Sequence, residues 1–121
     1  MTRPILESWL RLRAIDGVGD LTIFRLVRAW RSPDAVLRAS RDELIQGGCS
    51  SLLADAIRRG PDRSASRSIE HELKAIERER VEVLSVLDSR YPARLKMIAD
   101  PPPLLYITGS LTCLLYTSDA A

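Results

Sequence analysis

The feature that most constrains the fold is a proline-punctuated stretch at residues 88–109, with the sequence DSRYPARLKMIADPPPLLYITG. Tyr91 and Pro92 predict a turn, because proline fixes its own φ angle and pushes the preceding residue toward an extended conformation. Pro92 can then begin a short helical turn over residues 93–98, which an aspartate and three consecutive prolines end. A β-prone run at residues 104–108 follows, closed by a glycine. The stretch therefore predicts a turn and a short helix that lead the chain into a β-sheet.

Helical periodicity changes to strand periodicity just before this stretch. Apolar residues three or four apart form one stripe in a charged segment, which predicts a helix over residues 69–80. The polar residues 62–68 are either a linker or the first turn of that helix. Residues 81–87 are β-branched and mostly apolar, which predicts a strand. We expect residues 81–87 and 104–108 to lie side by side in one sheet, with the helix packed on it.

Five short helices are predicted in residues 5–60. The first two, at residues 5–14 and 21–30, carry apolar residues at helical spacing. Ser32 followed by Pro33 begins the third helix. We also predict an Asp20 cap at the start of the second helix, a Ser40–Glu43 capping box on the fourth, and a Ser50 or Ser51 cap on the fifth. Gly47-Gly48 is predicted to end the fourth helix, and Gly60-Pro61 the fifth. We expect a compact bundle of the sterile-alpha-motif (SAM-like) or helix-hairpin-helix type.

Gly17-Val18-Gly19 joins the first two helices. Two glycines allow a tight turn with positive φ. In a helix-hairpin-helix, backbone N–H groups of such a turn and of the following helix hold a phosphate without reading bases. The same spacing also serves simply to pack two helices together, and Asp16 and Asp20 would repel a phosphate. A DNA contact and a purely structural turn are therefore competing interpretations, and the two acids favour the structural one.

Charge is spread unevenly along the chain. The net charge is +2, with ten arginines against seven acids in residues 1–60 and eight basic against nine acidic residues in 61–121. Arg25, Arg28 and Arg31 lie three apart on one side of the second helix. Arginine suits bidentate contact with phosphate, so Arg25 and Arg28 are candidate nucleic-acid contacts. A solvated surface explains the same asymmetry.

Other classes of protein and site are disfavoured by the residues. Cys49 and Cys113 do not suggest a disulfide framework, and His71 is the only histidine, so we expect no metal site and no cofactor. No Ser/His/Asp set, P-loop or G-x-G-x-x-G motif is present, so we do not expect an enzyme. There is no signal peptide and no apolar run of about 20 residues, which predicts a soluble cytoplasmic protein without a membrane partner.

The proline-punctuated stretch resembles the DNA-processing protein A (DprA, or Smf) family. In that family a Tyr-Pro, a Leu and an Asp-Pro-Pro followed by an apolar strand and Gly lead into a nucleotide-binding-like sheet domain. The resemblance covers about residues 8–111, and its helical part is looser. The matching residues are Asp88, Tyr91, Pro92, Leu95, Ile98, Asp100, Pro101, Pro102, Leu104, Tyr106 and Gly109.

The resemblance implies an α+β fragment of a protein of natural transformation. Residues 1–62 would be the SAM-like or helix-hairpin-helix domain, 63–111 the helix and first strands of a truncated Rossmann-like α/β domain, and 112–121 a non-native tail. The whole protein would bind incoming single-stranded DNA and help load a RecA-type recombinase. The family's Gly-Ser-Arg phosphate-binding loop has no counterpart here, so none of its DNA-binding residues carries over.

Two alternatives stay open. The helical bundle is a protein-interaction or self-association module, including a homodimer, if Trp9, Phe24 and Trp30 are exposed anchors. Core positions for these three residues are the competing interpretation. The other alternative is that the whole protein is a nucleotide-binding α/β enzyme, and the family resemblance argues against it.

Overall fold

The computed structural model describes residues 2–99 and 101–107. Within them the chain folds into seven α-helices and two β-strands. Their order is α1 (Arg3–Arg13), α2 (Asp20–Trp30), α3 (Pro33–Arg38), α4 (Arg41–Gln46), α5 (Ser51–Arg59), α6 (Arg63–Glu79), β1 (Glu82–Ser85), α7 (Ala93–Lys96) and β2 (Leu104–Ile107). No helix in this part of the chain has the length and apolar character that crossing a membrane requires.

The chain is therefore a mostly helical α+β structure, and the coarse fold class is as expected. The five predicted helices of residues 5–60 are α1 to α5. The two predicted strands are neighbours, as expected, and they pair antiparallel with Glu82 opposite Ile107 and Ser85 opposite Leu104. Thr108, predicted to end the second strand, lies outside the described residues.

Serine and aspartate side chains begin four of the helices. Ser32 accepts a hydrogen bond from the Ala35 N–H, and Ser40 forms the predicted capping box with Glu43. Ser50, rather than Ser51, caps α5. The Asp62 side chain accepts from the Ala65 N–H and begins α6, so residues 62–68 are a cap and the first turns rather than a linker. Each such cap satisfies a backbone donor at a helix start.

The cap predicted at Asp20 is wrong. Gly19 is the N-cap of α2, no side chain accepts from the first turn, and Asp20 is the first helical residue. Asp20 still lies where its charge favours the helix dipole. Of the two glycines, only Gly17 has a positive φ, +86°. Gly17 therefore makes the turn, and Gly19 serves as the extended residue before the helix.

Several predicted boundaries are also corrected. The helix expected over 69–80 begins earlier, at Arg63, because Asp62 supplies a cap. The strand expected over 81–87 is only Glu82–Ser85, and the turn expected over 93–98 ends at Lys96. Ile98, paired with Leu95 in the sequence pattern, is exposed, whereas Leu95 packs against the core.

One hydrophobic cluster runs through the helices and the strand pair. It contains residues of α1, α2, α5 and α6 together with Val83 and Leu104 of the strands and Tyr91 of the connection. Helix α1 packs against α2, α3 and α6. The domain boundary predicted between residues 62 and 63 is thus not marked by a gap in the core, and it stays a prediction.

Candidate nucleic-acid interface

The turn at Gly17-Val18-Gly19 offers only part of the phosphate site that its sequence suggests. The Val18 side chain is 7% exposed and belongs to the core, and its N–H donates to the Ile15 carbonyl at 3.2 Å. Gly17 and Gly19 are exposed, and among the described residues their N–H groups donate to no backbone oxygen. Val18 therefore acts as an apolar anchor of the turn, which leaves two glycine donors toward solvent.

The start of α2 carries negative charge. Asp16 is exposed beside the turn, and Asp20 is half-buried at the first helical position. Asp20 also lies close enough to Tyr91 to act on it: burial, and secondarily the Asp20 carboxylate, raise the pKa of that phenol. A phosphate at this helix start would meet two carboxylates, so the turn is a poor anion site.

A second surface lies farther along the same helix. Ile23, Leu26 and Val27 are buried, so the 3.6-residue period turns another set of residues outward. This set lines a shallow open depression, which we name the α2 outer face; its members are Leu21, Phe24, Arg25, Arg28 and Ala29. The α2 outer face contains two arginines, a half-buried aromatic ring and no acidic residue.

Arg28 is held by the ring of Phe24. Its guanidinium carbon lies 5.4 Å from the ring centroid, within the range of a cation–π contact. The two residues are four apart, so one helix turn brings them together. The four-residue spacing is visible in the sequence, but Phe24 was interpreted there only as a protein anchor or a core residue, so the pairing with Arg28 was not predicted.

The ion pairs between arginine and acidic residues lie outside the α2 outer face. Within the described ranges, the arginines in ion pairs are Arg3, Arg13, Arg38, Arg41 and Arg90. Arg58 instead donates to the carbonyls of Leu37 and Ala39. Arg25 and Arg28 have no ion-pair partner in residues 2–99 and 101–107, so their charge is available to a ligand.

The residues of the family-like stretch form a structural link rather than a site. The Tyr91 hydroxyl donates to the Pro102 carbonyl at 2.7 Å, and the Tyr91 residue is 3% exposed. Pro92 is the N-cap of α7, and Pro101 is fully buried. The turn is thereby fastened to the segment that enters β2. Asp100 and Gly109 lie outside the described residues.

The remaining candidates have ordinary positions. Trp9 is buried, and Phe24 and Trp30 are partly buried against the core. Cys49 is buried, and burial raises the pKa of its thiol; His71 is exposed. No group of three or more metal-ligating side chains occurs in the part of the chain that the structure describes.

The sequence was compared with protein-family models and with curated proteins. The sequence matches no protein-family model and no curated protein.

Proposed function

We propose that this chain is the amino-terminal part of a DNA-processing protein of natural transformation, with a SAM-like or helix-hairpin-helix head joined to the beginning of a Rossmann-like domain. Such a protein binds incoming single-stranded DNA and assists a RecA-type recombinase. In this chain the head binds the strand weakly, through charge. The proposal includes a cytoplasmic location, where incoming DNA meets the recombinase.

The observation that carries the proposal is the unpaired charge on the α2 outer face. Arg25 and Arg28 are exposed, and no carboxylate among the described residues forms an ion pair with them. Guanidinium groups recognise phosphate oxygens well, and such contacts give affinity without base sequence specificity. The link between Tyr91 and Pro102 gives independent support, because it joins the two halves of the family-like stretch.

The first prediction concerns salt-dependent binding of single-stranded DNA. We expect the chain to bind oligothymidylate at low salt, with a log–log salt slope of about −1.4 for two phosphate contacts on a single strand. Replacing both arginines, Arg25→Gln and Arg28→Gln, should flatten the slope by about that amount. Fluorescence anisotropy across a salt series measures both quantities.

A matched control uses two arginines of α6. Arg63 and Arg67 are exposed, are four residues apart and have no ion-pair partner within residues 2–99 and 101–107. Changing both to glutamine removes the same charge from another helix, and we expect the slope to stay nearly unchanged. Equal losses from the two double variants would show that net charge, rather than the α2 outer face, governs binding.

A second candidate function, self-association or docking of a protein partner, is favoured by exposed apolar side chains. Leu52 is 82% exposed on α5, and Met97 is 84% exposed after α7. Exposed apolar patches often mark interfaces, although single ones are normal. Sedimentation at two protein concentrations separates the candidates: a concentration-independent monomer that binds the oligonucleotide supports the DNA-binding function and argues against a homodimer.

A further inference from the structure

We propose that Phe24 and Arg28 form a stacking platform for one unpaired nucleobase, while Arg25 contacts the phosphate of the same strand. The inference rests on the proposed function and names the site at which it acts. It places DNA recognition on the α2 outer face and not at the glycine turn. The ligand class is single-stranded nucleic acid without sequence preference.

The proposal starts from the position of the Arg28 side chain next to Phe24. Its guanidinium carbon lies 5.4 Å from the centroid of the Phe24 ring and Arg28 is exposed, so the guanidinium lies beside the aromatic ring and is accessible to a ligand. Bases stack on guanidinium planes as they do on aromatic rings. The ring restricts the arginine before a ligand arrives, so less side-chain entropy is lost on binding.

The second step is the spacing along the helix. Arg25 and Arg28 differ by three residues, an axial rise of about 4.5 Å at 1.5 Å per residue. Residues three apart lie on one face of a helix, so the two arginines can contact the same short stretch of a bound strand. Leu21 and Ala29, at the two ends of the depression, add apolar surface.

The third step is a comparison with a second arginine–aromatic pair among the described residues. Arg13 lies 5.8 Å from the centroid of the Tyr106 ring, but it also donates to both carboxylate oxygens of Glu72, at 2.9 and 3.0 Å. That guanidinium is neutralised inside the fold. Arg28 has the aromatic neighbour without a carboxylate partner in the described ranges. Of these two pairs, Arg28 is therefore the one whose charge can serve an external anion.

The fourth step selects single strands over other anions. In duplex DNA the bases are stacked on one another, so their faces are not available to the platform. An acidic peptide would satisfy the two charges but would supply no base to stack on the guanidinium and the ring. Single-stranded nucleic acid supplies both a phosphate and a free base, which matches the two halves of the site.

The test uses the full chain with variants that preserve charge. Arg28→Lys keeps the positive charge but removes the planar guanidinium; Phe24→Leu removes the ring. We expect each to weaken binding of oligothymidylate about fivefold or more, as for loss of one stacked base. Binding of a duplex of the same length should change little. Arg63→Lys, the same change at an exposed arginine of α6 away from the α2 outer face, is the matched control and should behave as the unmodified chain.

Each outcome decides a different question. If the unmodified chain binds oligothymidylate and Arg28→Lys binds it equally well, the platform is overturned and electrostatic DNA binding stands. If the unmodified chain binds neither oligothymidylate nor duplex at low salt, the proposed function itself fails. Phe24 is partly buried, so Phe24→Leu counts only if its thermal transition is unchanged; the exposed Arg28→Lys carries the test alone if it is not.

A competition experiment addresses acidic proteins. Polyglutamate carries charge but no bases, so at equal charge it should displace oligothymidylate poorly from the unmodified chain. Displacement as effective as that by unlabelled oligothymidylate would identify the α2 outer face as a surface for acidic peptides and would overturn the platform.

Discussion

At Gly47 the chain has no room for a side chain. Gly47 is the C-cap of α4, with a negative φ that any residue adopts, so backbone conformation does not require glycine here. A Cβ atom would overlap the outer edge of the Trp30 ring, with the Cζ2 atom only 2.7 Å away. The requirement for glycine is therefore steric and comes from a helix distant in sequence.

We predict that Gly47→Ala destabilises the fold by about 1–2 kcal/mol, the cost of forcing an extra methyl group into packed surroundings. The Trp30 ring would have to move away from α4. Urea unfolding followed by tryptophan fluorescence measures the change and reports the displacement of the ring.

A double-mutant cycle provides the control. In a Trp30→Leu background the ring is absent, so Gly47→Ala should cost much less than in the unmodified chain. If the two costs are equal, the penalty arises from the helix end itself and not from the contact with Trp30.

At the scale of elements, three segments meet at one carboxylate. Glu72 of α6 accepts hydrogen bonds from Arg13 of α1 and from the Tyr106 hydroxyl of β2. Arg3, at the other end of α1, bonds Glu77 of α6 at 2.9 Å. The charged side of α6, which the sequence presents as a solvated face, thus contains the polar contacts that hold α1 and β2 in place.

We predict that ionisation of Tyr106 at high pH weakens this junction and lowers the stability of the fold. Burial, and then the hydrogen bond to Glu72, raise the pKa of Tyr106 from 10.0 to about 12. The folded chain holds this proton more tightly than the unfolded chain, so the stabilisation is complete below pH 10 and is lost as the pH rises through about 12. Thermal unfolding across this range, with absorbance of the ionised phenol, measures both effects.

Tyr106→Phe is the control, because it removes the titrating group and keeps the ring near Arg13. The variant should lack the phenol ionisation step near pH 12 and should lose less stability between pH 10 and about 12 than the unmodified chain. An unaltered titration curve in this variant would contradict the assignment of the raised pKa to Tyr106.

At the scale of the whole molecule, the connection between the strands is fastened by one buried phenol. Tyr91 packs in the common core, and its hydroxyl donates to the Pro102 carbonyl. The Val86 N–H donates to the Pro103 carbonyl at 2.9 Å and continues the pairing of β1 and β2. These two bonds close the segment that contains α7.

We predict that Tyr91→Phe costs about 1–2 kcal/mol, because the Pro102 carbonyl would lose its buried donor while the ring packing is kept. Urea unfolding measures the loss, with Tyr91→Leu as a second variant that also removes packing and should cost more. Equal stability of Tyr91→Phe and the unmodified chain would show that solvent satisfies the carbonyl.

Local signals in the sequence predicted much of the fold, and contacts between distant residues account for the remainder. Ser32 and Ser40 act within their own helices, so their caps were predictable from neighbouring residues. The adjacency of the two strands also followed from their short proline-rich connection. The junction of Arg13, Glu72 and Tyr106 spans 93 residues of sequence, and no local pattern identifies it.

The candidate site, too, was predictable from the sequence only where local signals determine it. Arg25 and Arg28 were selected by spacing, whereas the burial of Val18 and the nearness of Asp20 to Tyr91 depend on how the turn packs. These tertiary facts shift the candidate site away from the turn and along α2. The identity of the residues was informative, but their freedom to meet a ligand depended on the surrounding fold.

The contacts at Glu72 also affect how the chain would be oriented along a bound nucleic-acid strand. Because α1, α6 and β2 are bonded to one another and share a core with α2, the fold gives the α2 outer face a defined orientation relative to the strand pair. Nucleic acid runs from a 5′ to a 3′ end, and the contacts along α2 are not symmetric. If the α2 outer face binds a strand as proposed, copies of this chain along that strand would all point the same way and would give the coated strand a polarity.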